Sequence, residues 1–269
     1  MITRIKSGHR KMVLLALASA VLLIPVIHLG AQTITPRLDD LILGFRASGG
    51  TGQTVNLEVD LGNISNFYDA VAGSTNLLTA LSVQDLNDAY GVNWSTRTNL
   101  FWGAFATTGR ATGTTDGHAP VGTLWATDPG GQPAWQRGSL FAQKDASASL
   151  EAVFVPGSAG SLYGATPTTN SSVAADINTS QPGSWSSEDL KTVGTSFGYF
   201  NPTIDNGVSN GTVVSELYEL QPGSGPGIDL GELVLSPSGL SFIAIPEPSA
   251  GVLVAIGLGS IVLLRRRRT

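Results

Sequence analysis

Residues 228–245 read IDLGELVLSPSGLSFIAI. Ile228 to Leu235 and Leu240 to Ile245 are two apolar-alternating runs separated by Ser236-Pro237-Ser238-Gly239. A period of two puts alternate side chains on one face of a strand. Proline presets a turn φ and glycine frees the backbone after it, so the stretch predicts a β-hairpin.

The same grammar recurs upstream. Asp40 to Arg46 (DLILGFR) and Thr54 to Asp60 (TVNLEVD) flank the Gly-rich SGGTGQ of residues 48–53, a second hairpin signal. In the latter run Val55, Leu57 and Val59 alternate with polar residues, which predicts a strand with one solvated face. Asn99 to Ala106, Thr123 to Thr127, Leu150 to Val155, Thr192 to Phe200 and Thr212 to Leu220 are further strand candidates.

Helix signals are few. Ser82 with Asp85 forms a Ser-x-x-Asp capping box before LNDAYGV, and Gly91 stands at the C-terminal cap. Ser186 to Lys191 suits one further turn. Gln136 to Glu151 reads equally as helix, with Leu140, Phe141 and Lys144 on one face. The Ser/Thr/Asn/Ala-rich stretch from Gly157 to Gln181 reads as a long loop. Together these predict a mostly β domain over residues 32–245, a β-sandwich or jelly-roll-like fold with one or two short helices.

Charge is distributed unevenly. Arg4, Lys6, Arg10 and Lys11 give the segment before position 31 a charge of +4, and Glu247 with Arg265 to Arg268 gives the end +3. Residues 31–245 therefore carry −12 of a chain whose net charge is −5. Basic ends around an acidic body predict that ends and body face different compartments. With seven cations the body is ill suited to nucleic acid, so none is expected as a partner. The chain has no cysteine, which excludes disulfides and thiolate metal sites and leaves stability to the core.

The ends have addresses written in them. A basic stretch, an apolar run from Met12 to Ile27, then Gly30 and Ala31 give residues 1–31 the layout of a secretory signal peptide, with cleavage expected between Ala31 and Gln32. At the other end, Ala250 to Leu264 is 15 residues without a charge. As a helix it spans about 22 Å, short of a ~30 Å hydrocarbon core but able to cross with thinning and arginine snorkelling. Arg265, Arg266, Arg267 and Arg268 form a basic stop that stays cytoplasmic under the positive-inside rule. Pro246 and Pro248 hold the residues before the span extended, with Glu247 between them.

Pro246-Glu247-Pro248-Ser249, the apolar segment 250–264 and the terminal arginines resemble the PEP-CTERM sorting signal of Gram-negative bacteria. The resemblance covers residues 246–269. It implies an exosortase-type membrane enzyme that recognises the tail and cleaves near the motif, a membrane-anchored precursor, and delivery to the cell surface or outside the cell in a biofilm or exopolysaccharide context. The alternative is an ordinary C-terminal anchor containing Pro-Glu-Pro. DDLILGFRASGGTGQ and LGELVLSPSGLSF also resemble the opening and closing strands of many proteins carrying this tail, and this likeness implies no activity.

The body offers little chemistry. Gly194-Thr195-Ser196-Phe197-Gly198 matches the G-x-S-x-G elbow, but Pro202 follows where a helix is required, and the mature chain's one histidine, His118, precedes the serine. Asp116 and His118 are half of a metal site, with no second histidine to complete it. Asp128, Asp145 and Asp205 are loop carboxylates suited to calcium, without EF-hand spacing. Glu58, Asp60, Glu151, Glu188, Asp189, Glu216, Glu219 and Glu232 are candidates for a glycoside-cleaving pair, with Tyr218 beside Glu216 on one strand face. Trp94, Trp102, Trp125, Trp135 and Trp185 with the five tyrosines are candidates for a sugar-stacking face, with extracellular polysaccharide as the partner, or for core and cross-strand packing. Asn63, Asn93, Asn170, Asn178 and Asn210 begin Asn-x-Ser/Thr triplets, as Ser/Thr/Asn-rich composition produces. No cofactor and no catalytic set is expected; the expected role is structural or adhesive, with a carbohydrate-binding module as the alternative and a glycoside-acting enzyme behind it.

Overall fold

The computed structural model describes residues 36–130, 132, 134–154, 166–167, 170, 172–176, 179–180, 184–189, 199–200, 204–209 and 211–245. The signal segment 1–31, the tail 246–269, the Gly194–Gly198 elbow, Asn178 and Asn210 lie outside the described residues. Among the described residues no helix is long and apolar enough to cross a membrane.

Among the described residues eleven strands form one sheet in which every pairing is antiparallel. In chain order they are β1 (Asp40–Ala47), β2 (Asn56–Asn63), β3 (Thr75–Leu78), β4 (Leu100–Thr107), β5 (Leu124–Pro129), β6 (Thr166–Pro167), β7 (Val173–Asp176), β8 (Asn206–Gly207), β9 (Val213–Leu220), β10 (Ile228–Ser236) and β11 (Gly239–Ala244). Across the sheet the order is β3-β11-β10-β9-β5-β4-β1-β2-β7-β6, with β8 paired to β4. The helices are α1 (Ser65–Tyr68), α2 (Val83–Tyr90), α3 (Leu140–Phe154) and α4 (Trp185–Asp189).

The sheet is curled. Phe67, four residues past the end of β2, meets Phe242 of β11 with ring centres 5.1 Å apart, although six strand steps separate β2 from β11 in the sheet. On a flat sheet that gap is about 29 Å, so contact requires the sheet to roll its inner face inward. Leu43, Phe45, Trp102, Trp125 and Leu217 fill the roll, and α1 joins it through Phe67, edge-on to Phe242 at 5.1 Å.

Both expected hairpins form. Ser236 pairs with Gly239 across a two-residue turn, and β1 pairs with β2 from Arg46↔Asn56 onward. Gly231 sits at a bulge in β10 with φ +145°, and a Cβ there would lie 2.3 Å from the Ile243 carbonyl oxygen, so only glycine fits. The capping box also forms: Ser82 Oγ accepts from Asp85 N–H at 3.2 Å, and Asp85 Oδ2 accepts from Ser82 N–H at 2.9 Å. The SGGTGQ loop is pinned by Arg97, whose guanidinium donates to the carbonyls of Thr51 (2.6 Å), Gly49 (2.7 Å) and Tyr90 (3.0 Å).

Two expectations are corrected, and a third falls mostly outside the described residues. Leu150 to Phe154, read as a strand, is the end of α3. The helix prevails because Gln143, Ala146, Ser147 and Leu150 all bury against the outer face of the sheet at i, i+3, i+4, i+7 spacing. The Gly157–Gln181 loop contains β6 and β7, and β7 extends the sheet on β2. Of the Thr192–Phe200 candidate only Tyr199 and Phe200 are described, and neither is in a strand.

The outer face is covered too. Trp185 lies against the backbone of Gly44 and stacks on Phe105 at 5.6 Å. A Cβ on Gly44 would lie 1.9 Å from the Trp185 ring. Gly44→Ala is therefore expected to lower stability by about 1–3 kcal/mol, as overpacking does. Pairing it with Trp185→Leu should relieve part of that loss in urea unfolding; equal losses in both backgrounds would show that the contact does not matter.

Candidate functional site

A group of ionisable side chains lies on the outer face where β5, β9 and β10 run side by side. Asp128 of β5 is directly opposite Glu216 of β9, and Glu216 is opposite Glu232 of β10. Facing like charges on neighbouring strands are unfavourable. Tyr218 relieves one of them, its hydroxyl donating to Glu216 Oε2 at 2.5 Å. Asp128 is 1% exposed, and its Oδ2 has no hydrogen-bond partner among the described residues. Burial pushes its carboxyl up to about 6, and the Glu216 charge adds to the rise. Burial and the bond to Glu216 likewise raise the Tyr218 hydroxyl. This arrangement can hold a proton. A substrate at Asp128 would first have to open the sheet's outer cover.

A second group closes one end of the roll. His118 Nε2 meets Glu219 Oε2 at 2.9 Å, and the imidazole stacks on Tyr68 with ring centres 3.8 Å apart. The Tyr68 hydroxyl donates to Asp116, whose Oδ1 also accepts from the His118 N–H at 2.9 Å. Hydrogen bonds from Thr114, Tyr68 and His118 hold the Asp116 carboxyl down at about 2. Glu219 is buried and accepts a second bond from Gln221 at 2.6 Å. Thus the Asp116–His118 pair does have partners, supplied by α1 and β9, more than 40 residues away in either direction. They fasten the 113–118 loop over the roll. Among the described residues no group of three or more metal-ligating side chains forms.

The other candidates have structural places. Glu58 and Asp60 share the outer face of β2, as expected, but that face is not solvated. Glu58 is buried and accepts from the Trp185 N–H at 3.1 Å, and Asp60 accepts from Gly62 N–H at 2.8 Å. The cover comes from α4, which no local signal in β2 announces. Glu151 on α3 accepts from Arg110 N–H at 2.6 Å, and Asp145 makes an exposed pair with Arg110 at 3.5 Å. Glu188 and Asp189 belong to α4. Asp205 binds Arg46 Nε at 2.6 Å and Trp185 Nε1 at 3.1 Å. Asn63 accepts from Ser65 N–H at 2.9 Å, Asn93 caps the 3₁₀ turn at Trp94–Thr96, and Asn170 donates to Ala80 O at 2.8 Å. All five tryptophans are buried, so they are core and not a sugar platform.

Comparison with protein-family models, with curated proteins and with solved structures returns no match.

The two groups make separate predictions. Asp128 ionises near 6 when folded against an ordinary 3.8, so the folded protein holds its proton more tightly. Its contribution is full below about pH 4 and is lost as pH rises through about 6. Asp128→Asn should raise the thermal midpoint at pH 8 and flatten the wild-type decline between pH 5 and 7; an unchanged slope would contradict the assignment. His118→Ala leaves Glu219 buried without its imidazole partner and should cost about 1–3 kcal/mol in denaturant unfolding, with part regained on adding Glu219→Gln.

Proposed function

We propose that this chain is an exported β-rich protein of the cell surface or extracellular matrix, delivered through its C-terminal tail by an exosortase-type membrane enzyme. The observation that carries the reading is the order of the tail: Pro246-Glu247-Pro248-Ser249, then Ala250 to Leu264, then Arg265 to Arg268. The span parks the precursor in the membrane, the arginines fix its direction, and the prolines keep the neck extended for an enzyme to grip.

The fold is consistent with such a tail. β11 ends at Ala244, which still bonds Ser74 O at 3.0 Å, and Ile245 N–H still reaches Leu230 O at 3.3 Å. The neck therefore starts one residue beyond the last sheet contact. Cleavage at Pro246–Ser249 would remove no strand. The finer architecture we assign is jelly-roll-like, with β3, β11, β10 and β9 folded over β4, β1 and β2 across Phe45, Trp102, Leu233 and Phe242.

A structural or adhesive role in an exopolysaccharide or biofilm matrix fits this chain better than catalysis or aromatic sugar stacking. The buried tryptophans are withdrawn from any stacking face, and Asp128, whose carboxyl is pushed up, is buried beneath the outer layer. In a host carrying the processing enzyme, the mature protein is expected to end near Pro246, without Arg265 to Arg268, by intact mass. Replacing Pro246, Glu247 and Pro248 by alanine should leave a longer, membrane-held form. A wild-type mature mass that retains the four arginines would refute the processing step.

A further inference from the structure

The two ends of the sheet are finished differently. One end is β6, two residues long and containing Pro167. A short edge strand with proline, which has no N–H to offer, is a common guard against edge pairing. The other end is β3, Thr75-Asn76-Leu77-Leu78, with no charge, no proline and no bulge in its pairing to β11. Among the described residues nothing pairs with its outer side. Leu77 stands 70% exposed on it.

The backbone of this edge has a definite polarity. Ala244 N–H bonds the Ser74 carbonyl, and the ladder then pairs Ile243 with Thr75, Phe242 with Asn76 and Ser241 with Leu77. Alternation along an antiparallel ladder turns the N–H and C=O of Thr75 and Leu77 away from β11. These are strong donors and acceptors on an otherwise acidic body, in a segment that carries no charge of its own.

We propose that β3 is a self-association edge, at which two copies of this chain pair antiparallel about a twofold axis. Thr75 of each copy then exchanges backbone hydrogen bonds with Leu77 of the other, and the two Asn76 residues face each other across the axis. The occupant is a second copy because the segment is self-complementary in this register and carries no charge of its own, on a body whose residues 31–245 carry a net charge of −12. The assembly stops at two. Pairing β3 of one copy to β6 of the next would propagate a filament, and Pro167 obstructs it, so the isologous contact closes. The inference does not depend on how the protein is exported.

The absence of cysteine makes the test clean. In the proposed register the Asn76 pair is a non-hydrogen-bonded pair with Cα atoms about 4.5 Å apart, within disulfide range. The full chain carrying Asn76→Cys should form a covalent dimer under a mild oxidant, read on a non-reducing gel. Val92→Cys, at a position 79% exposed elsewhere on the surface, is the collision control and should stay monomeric. Adding Leu77→Lys to Asn76→Cys should reduce the cross-link at least tenfold while leaving the circular dichroism and melting of the reduced protein unchanged. Cross-linking of Asn76→Cys no faster than Val92→Cys would overturn the proposal, as would a cross-link indifferent to Leu77→Lys.

Discussion

The contact of the Trp185 ring with the bare backbone of Gly44 organises the outer half of this protein. A curled sheet buries its inner face by rolling, but rolling does nothing for the outer face. Here β1 is buried along almost its whole length, with Ile42 and Gly44 outward as surely as Leu43 and Phe45 inward. Trp185 supplies the cover. Its ring packs on Gly44 and Phe105, its backbone N–H satisfies Glu58, and its indole N–H satisfies Asp205, which in turn holds Arg46. One residue thus brings segments from positions 44, 58, 105 and 205 into a single layer, and donates a hydrogen bond to each of the carboxylates Glu58 and Asp205 buried there.

This explains what was legible in the sequence and what was not. Hairpins β1–β2 and β10–β11 were legible because turn chemistry and alternation are local. The Ser82–Asp85 cap was legible for the same reason. The fate of the polar positions on β2 was not. Leu57 and Val59 announce an inner face, but Asn56 and Glu58 are buried as well, under a helix that begins 127 residues after Glu58. Alternation distinguishes two faces of a strand; it does not say whether the second meets water. β7 was hidden differently. Val173-Ala-Ala-Asp has weak strand propensity, and pairing with β2 decides its state. In α3 the buried stripe holds Gln143 and Ser147, whose bonds to Leu220 O and Thr107 Oγ1 let polar residues sit at core spacing and mask the helical period.

The candidate site shows a parallel division. That Glu216 and Tyr218 share a face follows from their spacing, and they do. That Asp128 faces Glu216 is a matter of long-range register between β5 and β9, which no short motif encodes. His118 and Asp116 looked like half a site because their partners Tyr68 and Glu219 come from distant elements. Stacking, the His118–Glu219 contact and a hydroxyl bond complete the group as a loop fastening and engage the imidazole nitrogen and both carboxylates.

The topology also bears on the tail. β9, β10 and β11 form a local meander, yet β9 also pairs with β5, and β11 with β3. The meander is therefore the piece that joins two earlier parts of the chain into one sheet, and residues up to Ala244 are needed to do so. Non-local closure of this kind is slow relative to hairpin formation. If the tail holds the precursor at the membrane, as proposed, the body completes its sheet while tethered through residues 245–249. An undocked β11 would leave Leu240, Phe242 and Ala244 unburied, so those three side chains tie the end of the body to the closure of its sheet.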